Sequence, residues 1–393
     1  MRAVTRPLER DIDLNGFARG DGYLFVRDGV GVAGRGVATR VPLGDVAERL
    51  AAIERDDLVR HPGSGPVALG VLPFRPGAPA ELVIPAVTVG KGPDGRQWIT
   101  TIDGADAEAA LVPPPAPLPT AGAYDVRPGV AVDTYLAAVR AGRDEVRAGR
   151  LTKVVIARDV VVQGDEPLDV HAILLRLRAS FGSSYRYSVD GFVGASPELL
   201  VAREGDVVRS HPLAGTAPRT GDPATDAQQA AALVASTKDQ VEHRVVIDVV
   251  HATLLPWCSY LDWEAEPSIV TVANVQHLGT AIEGRLSAPA PDVLELVQAL
   301  SPTPALGGHP RDEALALIDR VEGFERGRYG GAVGWVDADG NGTWAVAIRC
   351  AEITGSRARL FAGGGIVADS DPASELAETQ AKLQAMLSAI VRP

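Results

Sequence analysis

The stretch that decides the fold lies near the C-terminus, where Phe361-Ala-Gly-Gly-Gly-Ile366 is followed by Glu375-Leu-Ala-Glu378-Thr-Gln-Ala-Lys382. The first segment is typical of a strand that ends in three glycines. The second is typical of a helix whose two glutamates share one face, since residues three apart are neighbours there. A second acidic pair, Asp239 and Glu242, lies upstream on a segment that also has helical character. Taken singly, each pair is more typical of a solvated helix face. Two such faces brought together would instead line a pocket for a hard divalent cation, with Mg2+ favoured.

Composition and charge exclude several classes of protein. The 393 residues are 46% hydrophobic and 22% charged, with a formal net charge of -12. Because the chain is acidic and has no basic run, we expect it to bind neither nucleic acid nor an anionic membrane. We find no apolar segment typical of a signal peptide or of a membrane span. Cys258 and Cys350 lack metal-type spacing, and we interpret them as reduced residues of a cytoplasmic protein.

A proline-rich stretch, Val112-Pro-Pro-Pro-Ala-Pro-Leu-Pro119, is the best candidate for an internal boundary. It separates an N-terminal part, residues 1–120, from a candidate catalytic domain, residues 121–393. After it, predicted strands such as residues 153–162 mix with predicted helices such as residues 225–255. Hairpins take the place of the crossovers that a parallel fold would need. This mixture predicts an α+β fold with large, mainly antiparallel sheets and helices on their faces.

Three positions in the second part could carry chemistry. Lys153 begins an apolar strand, where it would either protect a sheet edge or, if buried, act as a base. Glu198 follows a proline and would be either a charge at a helix start or a partly buried general acid. The segment His211-Pro-Leu-Ala-Gly-Thr216 is predicted to form a turn whose N–H groups and hydroxyl could hold an anion.

Taken together and in this order, the motifs from Lys153 to Lys382 resemble those of the chorismate-utilising enzymes of menaquinone, siderophore and tryptophan pathways. Weaker similarity in Ala68-Leu-Gly-Val-Leu-Pro-Phe74 extends the resemblance to the N-terminal part. Within the family, the isochorismate synthases are the most similar group. The resemblance implies one large α/β unit in which two sheets pack together, so that residues 1–120 would be integral to it. It also implies an isomerase that acts on chorismate as a monomer, without an obligatory protein partner.

The implied reaction moves a hydroxyl across the chorismate ring. Water adds at C2, the double bonds shift, and the hydroxyl at C4 leaves. Lys153 matches the base that would deprotonate the water, and Glu198 matches the acid that would protonate the leaving hydroxyl.

The acidic pairs match the metal site of the family. Glu242 and Glu378 match direct ligands of Mg2+, while Asp239 and Glu375 match acids that act through water. Four clustered carboxylates would repel one another wherever no cation offsets their charge.

The resemblance also implies a set of substrate-binding residues. Tyr329 and Arg349 match the residues that hold the enolpyruvyl carboxylate, for which the planar fork of arginine is suited. For His277, a hydrogen-bonded histidine within the sheet is an equal alternative. The full set comprises Gly215, Thr216, His277, Ala305, Tyr329, Arg349, Gly363, Gly364, Gly365 and Lys382.

Single positions favour one subfamily. Enzymes that capture the ring with lysine carry it where this chain has Ala214, and anthranilate synthases usually lack the lysine matched by Lys153. Salicylate synthases tend to carry threonine where this chain has Ala305. Isochorismate synthase is therefore the predicted activity, and salicylate synthase is the alternative. Two more distant alternatives are an aminating chorismate enzyme and a chorismate-binding subunit that needs a glutaminase partner.

Overall fold

Two large β-sheets, a small third sheet and ten α-helices make up the computed structural model, which describes residues 1–113 and 122–392. The predicted α+β architecture of large antiparallel sheets with helices on their faces is confirmed. The small third sheet was not predicted.

The strands of residues 1–113 are β1 (Arg2–Pro7), β2 (Tyr23–Arg27), β3 (Val30–Arg35), β4 (Thr39–Pro42), β5 (Glu54–Asp57), β6 (Val67–Leu72), β7 (Glu81–Ile84), β8 (Val87–Lys91) and β9 (Gln97–Ile102). Those of residues 122–392 are β10 (Tyr124–Pro128), β11 (Lys153–Gly164), β12 (Tyr185–Val189), β13 (Phe192–Ser196), β14 (Leu199–Glu204), β15 (Val207–His211), β16 (Leu213–Pro218), β17 (Cys258–Trp263), β18 (Ser268–Thr271), β19 (Val275–Gly279), β20 (Ile282–Leu286), β21 (Gly308–His309), β22 (Ala332–Asp337), β23 (Gly342–Val346), β24 (Cys350–Thr354) and β25 (Arg357–Ile366).

The helices are α1 (Leu14–Ala18), α2 (Val46–Ala51), α3 (Ala107–Ala110), α4 (Val132–Arg147), α5 (Val170–Ser180), α6 (Pro223–Ala235), α7 (Thr237–Leu254), α8 (Val293–Leu300), α9 (Arg311–Val321) and α10 (Pro372–Val391). None of the helices within residues 1–113 and 122–392 is both long enough and apolar enough to cross a bilayer.

Strands from both parts of the chain share both large sheets. The thirteen-stranded sheet has the order β10-β11-β25-β24-β13-β12-β2-β3-β8-β9-β1-β5, with β21 also paired to β11. The nine-stranded sheet has the order β17-β20-β15-β14-β23-β22-β6-β7-β4, and the small sheet the order β16-β19-β18. Strand β2 pairs with β12, and β6 pairs with β22. The boundary between residues 1–120 and 121–393 stays a prediction, because most of the proline-rich stretch lies outside the described residues.

The main core lies between the two large sheets. It joins Phe25 of the first sheet to Leu69 and Trp344 of the second. A second core, which includes Leu174 and Met386, fills the space between the first sheet and helices α5 and α10. Each fully buried leucine contributes roughly 1.5–3 kcal/mol of transfer free energy. The two cores cover β11 and β25 on both faces, which explains the apolar runs at residues 154–157 and 360–366.

Several predicted elements differ from the observed ones. The sequence of residues 44–57 has helical periodicity, but α2 ends at Ala51 and β5 follows it. Strands β5 and β1 form the one parallel pair among the described residues. The helix predicted over residues 225–255 is broken at Ser236, whose hydroxyl caps α7 by accepting from the N–H of Asp239 at 3.3 Å. The turn predicted at 211–216 is instead the junction of β15 and β16.

Candidate active site

All but two of the predicted site residues line one cleft that is partly open to solvent. Strands β11 and β25, helices α7 and α10, and the small sheet contribute to its walls. The predicted residues that line it are Lys153, Glu198, Gly215, Thr216, Asp239, Glu242, His277, Ala305, Tyr329, Arg349, Gly363, Gly365, Glu378 and Lys382. Gly364 and Glu375 do not line it.

The glycine run of β25 allows side chains to approach its backbone closely. A Cβ atom on Gly365 would lie 2.4 Å from the Glu242 Oε1 atom and 3.0 Å from the Lys153 Cε atom. A Cβ atom on Gly364 would instead lie 2.6 Å from the Glu375 Oε2 atom. Because neighbouring strand residues point to opposite faces, Gly364 meets Glu375 behind the cleft. Any larger residue at these positions would displace a predicted site residue.

Lys153 is a buried residue of the cleft and does not protect an open sheet edge. Its side chain is 2% exposed, and its Nζ atom lies 2.7 Å from the Glu242 Oε1 atom. Strand β21 covers its backbone by pairing His309 with Lys153. The structure therefore favours the buried alternative for this lysine.

Glu198 lies between β13 and β14 and is also buried, at 3% exposure. Its Oε1 atom accepts a long hydrogen bond of 3.4 Å from the Leu213 N–H. Burial raises the pKa of the Glu198 carboxyl to about 7, although this hydrogen bond and the positive charge of Lys153 act against the shift. Near neutral pH, Glu198 is therefore able to donate a proton.

Arg349 is held in place by a chain of hydrogen bonds that begins at the backbone. The His277 Nδ1 atom lies 2.9 Å from the carbonyl oxygen of Gly215, so this nitrogen carries the proton and donates it. The Nε2 atom then accepts from the Arg349 Nη2 atom at 3.0 Å. Burial and the charge of Arg349 lower the pKa of His277 to about 3, which keeps its ring neutral. His277 is thus a hydrogen-bonded histidine that also orients a residue of the cleft.

Tyr329 completes this side of the cleft. Its ring stacks on Phe361 of β25, with centroids 5.3 Å apart. Burial raises the pKa of its hydroxyl, so the group remains a proton donor at neutral pH. A buried guanidinium and a phenol in one cleft are suited to binding a carboxylate.

Lysine side chains contact three of the four predicted metal-site acids. Besides the Lys153–Glu242 pair, the Lys382 Nζ atom lies 2.6 Å from the Glu378 Oε1 atom. The Lys238 Nζ atom lies 3.6 Å from the Glu375 Oε1 atom. The expected repulsion among the carboxylates is therefore partly offset within the protein.

The acids fit an oxygen-coordinated cation in their chemistry. The Glu375 Oε2 atom is buried and has no hydrogen-bond partner among the described residues. Burial and the nearby Glu378 raise the pKa of Glu375 to about 7, and burial also raises the pKa of Asp239. Burial is the main cause of both shifts, and a neighbouring carboxylate adds to each of them, Glu378 beside Glu375 and Glu242 beside Asp239. No three His, Cys, Asp or Glu side chains in residues 1–113 and 122–392 come together as a group that could hold a metal ion.

Lys238 is the main residue of the cleft that the sequence analysis missed. It lies between Thr237 and Asp239, inside a motif that was already singled out for its acids. Burial lowers its pKa, but the surrounding carboxylates, Glu375 first, raise it above the usual value. The spacing of Lys238 to Glu242, four residues along a helix, was the available signal.

The chain is similar to known proteins in both sequence and fold. Residues 104–391 match a family model described as chorismate binding enzyme. The chain is 36% identical to the isochorismate synthase DhbC of Bacillus subtilis over 88% of this chain and 85% of that protein. The solved structure of DhbC from Bacillus anthracis superposes with a TM-score of 0.80 at 31% identity, over 96% of this chain and 98% of that chain. MenF, the menaquinone-specific isochorismate synthase of Escherichia coli, has a similar fold, with a TM-score of 0.83 at 24% identity, over 99% of this chain and 94% of that chain.

Proposed function

The chain belongs to the family of chorismate-binding enzymes, and we propose on this basis that it is an isochorismate synthase, an isomerase that interconverts chorismate and isochorismate. The observation that carries the proposal is the presence of Lys153 and Glu198, both buried, in the same cleft as Tyr329 and Arg349. The cleft thus offers a base, an acid and a carboxylate anchor together.

Lys153 and Glu198 would share the proton transfers of the exchange. Lys153 accepts a proton from the water that attacks C2 of chorismate. As the double bonds shift, Glu198 donates its proton to the hydroxyl that leaves C4 as water. The ring keeps its composition, and the reverse reaction exchanges the two roles. A carboxyl whose pKa is about 7 suits this function, because near neutral pH it is present in both protonation states.

Arg349 and Tyr329 would hold the enolpyruvyl carboxylate at the other end of the substrate. Since His277 accepts a hydrogen bond from Arg349, the guanidinium is already oriented before the substrate binds. Such preorganisation lowers the entropic cost of reaching the reactive geometry.

The metal of the site would be Mg2+. Glu242 and Glu378 would hold it directly, with Asp239 and Glu375 acting through water, as suits an ion that keeps several waters. When bound, Mg2+ would neutralise the ring carboxylate and polarise the ring. Support comes from the unpaired Oε2 atom of Glu375 and its raised pKa. Because Glu242 also pairs with Lys153, the cation and the ammonium group would compete for one carboxylate.

Incubation of the purified chain alone with chorismate and Mg2+, followed by chromatography, tests the proposal. We expect a mixture of chorismate and isochorismate, formed by a monomer without any added protein. Stoichiometric salicylate and pyruvate would instead indicate a salicylate synthase. Turnover that required a glutaminase would contradict the proposal and favour an aminating enzyme.

A further inference from the structure

The outer edge of β11 is incomplete at the point nearest to the cleft. Strand β10 pairs with residues 160–164 of β11, and β21 pairs only with Lys153 and Val154. Between these two stretches, the Val155 N–H donates to the carbonyl oxygen of Gly307 and the Gly129 N–H donates to that of Asp159, each at 3.0 Å. Side chains satisfy two further backbone groups. The Val155 carbonyl oxygen accepts from the Arg326 Nη2 atom at 2.8 Å, and the Ala157 N–H donates to the Glu322 Oε1 atom at 2.7 Å.

Glu322 and Arg326 form a buried ion pair beside this edge. Their side chains are 1% and 2% exposed. The Arg326 Nε atom donates to the Glu322 Oε2 atom at 2.8 Å, and the Arg326 Nη2 atom contacts the Glu322 Oε1 atom. Neither residue lines the cleft.

The Arg326 guanidinium also reaches two other parts of the site. Its Nη1 atom donates to the carbonyl oxygen of Leu306 at 2.7 Å, and Leu306 lines the cleft beside Ala305. The Tyr329 N–H donates to the Arg326 carbonyl oxygen at 3.0 Å. The guanidinium carbon lies 5.8 Å from the centroid of the Tyr329 ring. One side chain therefore connects the strand of Lys153, the loop of Ala305 and the carboxylate anchor.

We propose that Glu322 and Arg326 are positioning residues for the hydroxyl exchange. They replace a neighbouring strand at the edge of β11 and fix the placement of Lys153 relative to Tyr329 and Ala305. This inference rests on the proposed function. A buried ion pair often adds little net stability over apolar residues of the same size. Here, however, apolar residues would leave the Val155 carbonyl oxygen and the Ala157 N–H without their present partners.

The variant Arg326→Lys tests the inference, because lysine keeps the charge and lacks the planar fork. One ammonium group cannot reproduce the geometry of the contacts to Glu322, Val155 and Leu306. Since a displacement of about 1 Å can cost about 100-fold in rate, we expect kcat to fall about 10- to 100-fold. The KM for chorismate should change by less than about threefold, because Arg349 is untouched and a misplaced base affects the chemical step rather than binding.

The variant Asp337→Asn is the matched control. Asp337 is a buried carboxylate that accepts from the Gly63 N–H at 3.0 Å and from Asn341, and it does not line the cleft. The Asp337→Asn substitution should lower the Tm and leave kcat per folded molecule unchanged. Glu322→Gln is a second test variant. If Arg326→Lys does not fold, the kcat and the KM for chorismate of Glu322→Gln test the inference instead.

Unchanged kcat and KM in a folded Arg326→Lys protein, or a loss no larger than that of Asp337→Asn per folded molecule, would overturn the inference. A parent protein that does not turn over chorismate would refute the proposed function and this inference with it. An active parent with an unaffected variant refutes the inference alone.

Discussion

Replacing Glu198 by glutamine should remove catalysis and, above neutral pH, stabilise the fold. The carboxyl is buried, and its pKa is raised from 4.5 to about 7 chiefly by that burial. Ionisation at Glu198 is therefore costly in the folded protein. Glutamine has nearly the same shape and keeps an oxygen that can accept from the Leu213 N–H, but it never ionises.

The size and sign of the effect follow from linkage. Below pH 4.5 the carboxyl is protonated in both the folded and the unfolded state, so its ionisation does not affect stability. Between pH 4.5 and about 7 the folded state binds more protons, and the free energy of unfolding of the parent falls as pH rises. At about 1.4 kcal/mol per pKa unit, the loss reaches about 3 kcal/mol above pH 7. For 393 residues, at about 2.1 cal/mol/K each, this corresponds to about 4 °C in Tm.

Calorimetry of the parent and of Glu198→Gln at pH 5 and pH 8 measures this difference. The Tm of the variant relative to the parent should be about 3 °C higher at pH 8 than at pH 5, because part of the loss has already occurred at pH 5. Glu204→Gln, at a side chain that is 63% exposed, is the control and should not show this change with pH. In the parent, the pH profile of kcat/KM should change slope near pH 7, where Glu198 titrates, whereas the variant should be about 100- to 10,000-fold less active and should lack that change of slope. Equal Tm differences at the two pH values, or an active variant, would refute the reasoning.

Three further predictions concern other residues of the cleft. Glu242→Gln and Glu378→Gln should each abolish turnover and weaken Mg2+ binding measured by calorimetry, and full activity in EDTA would contradict this. Glu242→Gln should also lower the Tm more than Glu378→Gln, because it leaves the buried Lys153 without its ion-pair partner; an equal loss would contradict the importance of that pair. Lys153→Ala should lower kcat at least about 100-fold while chorismate still binds, and a near-parental rate at neutral pH would show that another group is the base. Ala305→Thr should raise the fraction of chorismate that is converted to pyruvate, as followed by chromatography, and an unchanged fraction would show that this position does not control the product.

The order of motifs along the chain predicted which residues meet in the cleft, because each motif combines a local structure with a chemical group. The glycines of β25 allow close approach, and the helix spacing of the acids places them on one face. Strand alternation alone separates Gly364 from Gly363 and Gly365. Side-chain direction alternates along a strand, so the sequence could predict that Gly364 faces away from the cleft. It could not predict that Glu375 is the residue that Gly364 meets there.

Other features depend on tertiary contacts that local patterns do not contain. Lys153 of β11 pairs with Glu242 of α7, and Lys238 of α7 pairs with Glu375 of α10. The packing of α7 and α10 around β25 sets this choice of partners. Strand β5 was missed because its sequence, Glu54–Asp57, is entirely polar and carries no alternation. The break at Ser236 was readable, since serine followed three residues later by aspartate is a helix-start pattern.

The central claim is that water enters the ring at C2 while the original hydroxyl departs from C4. It is tested most directly by running the reaction in oxygen-18 water with Mg2+ and analysing the isochorismate by mass spectrometry. We expect one oxygen-18 atom in each isochorismate molecule, located at C2, and no labelled isochorismate from either Lys153→Ala or Glu198→Gln. Isochorismate that forms at the parental rate without oxygen-18 would contradict the proposed reaction, because the hydroxyl would then have moved within the substrate.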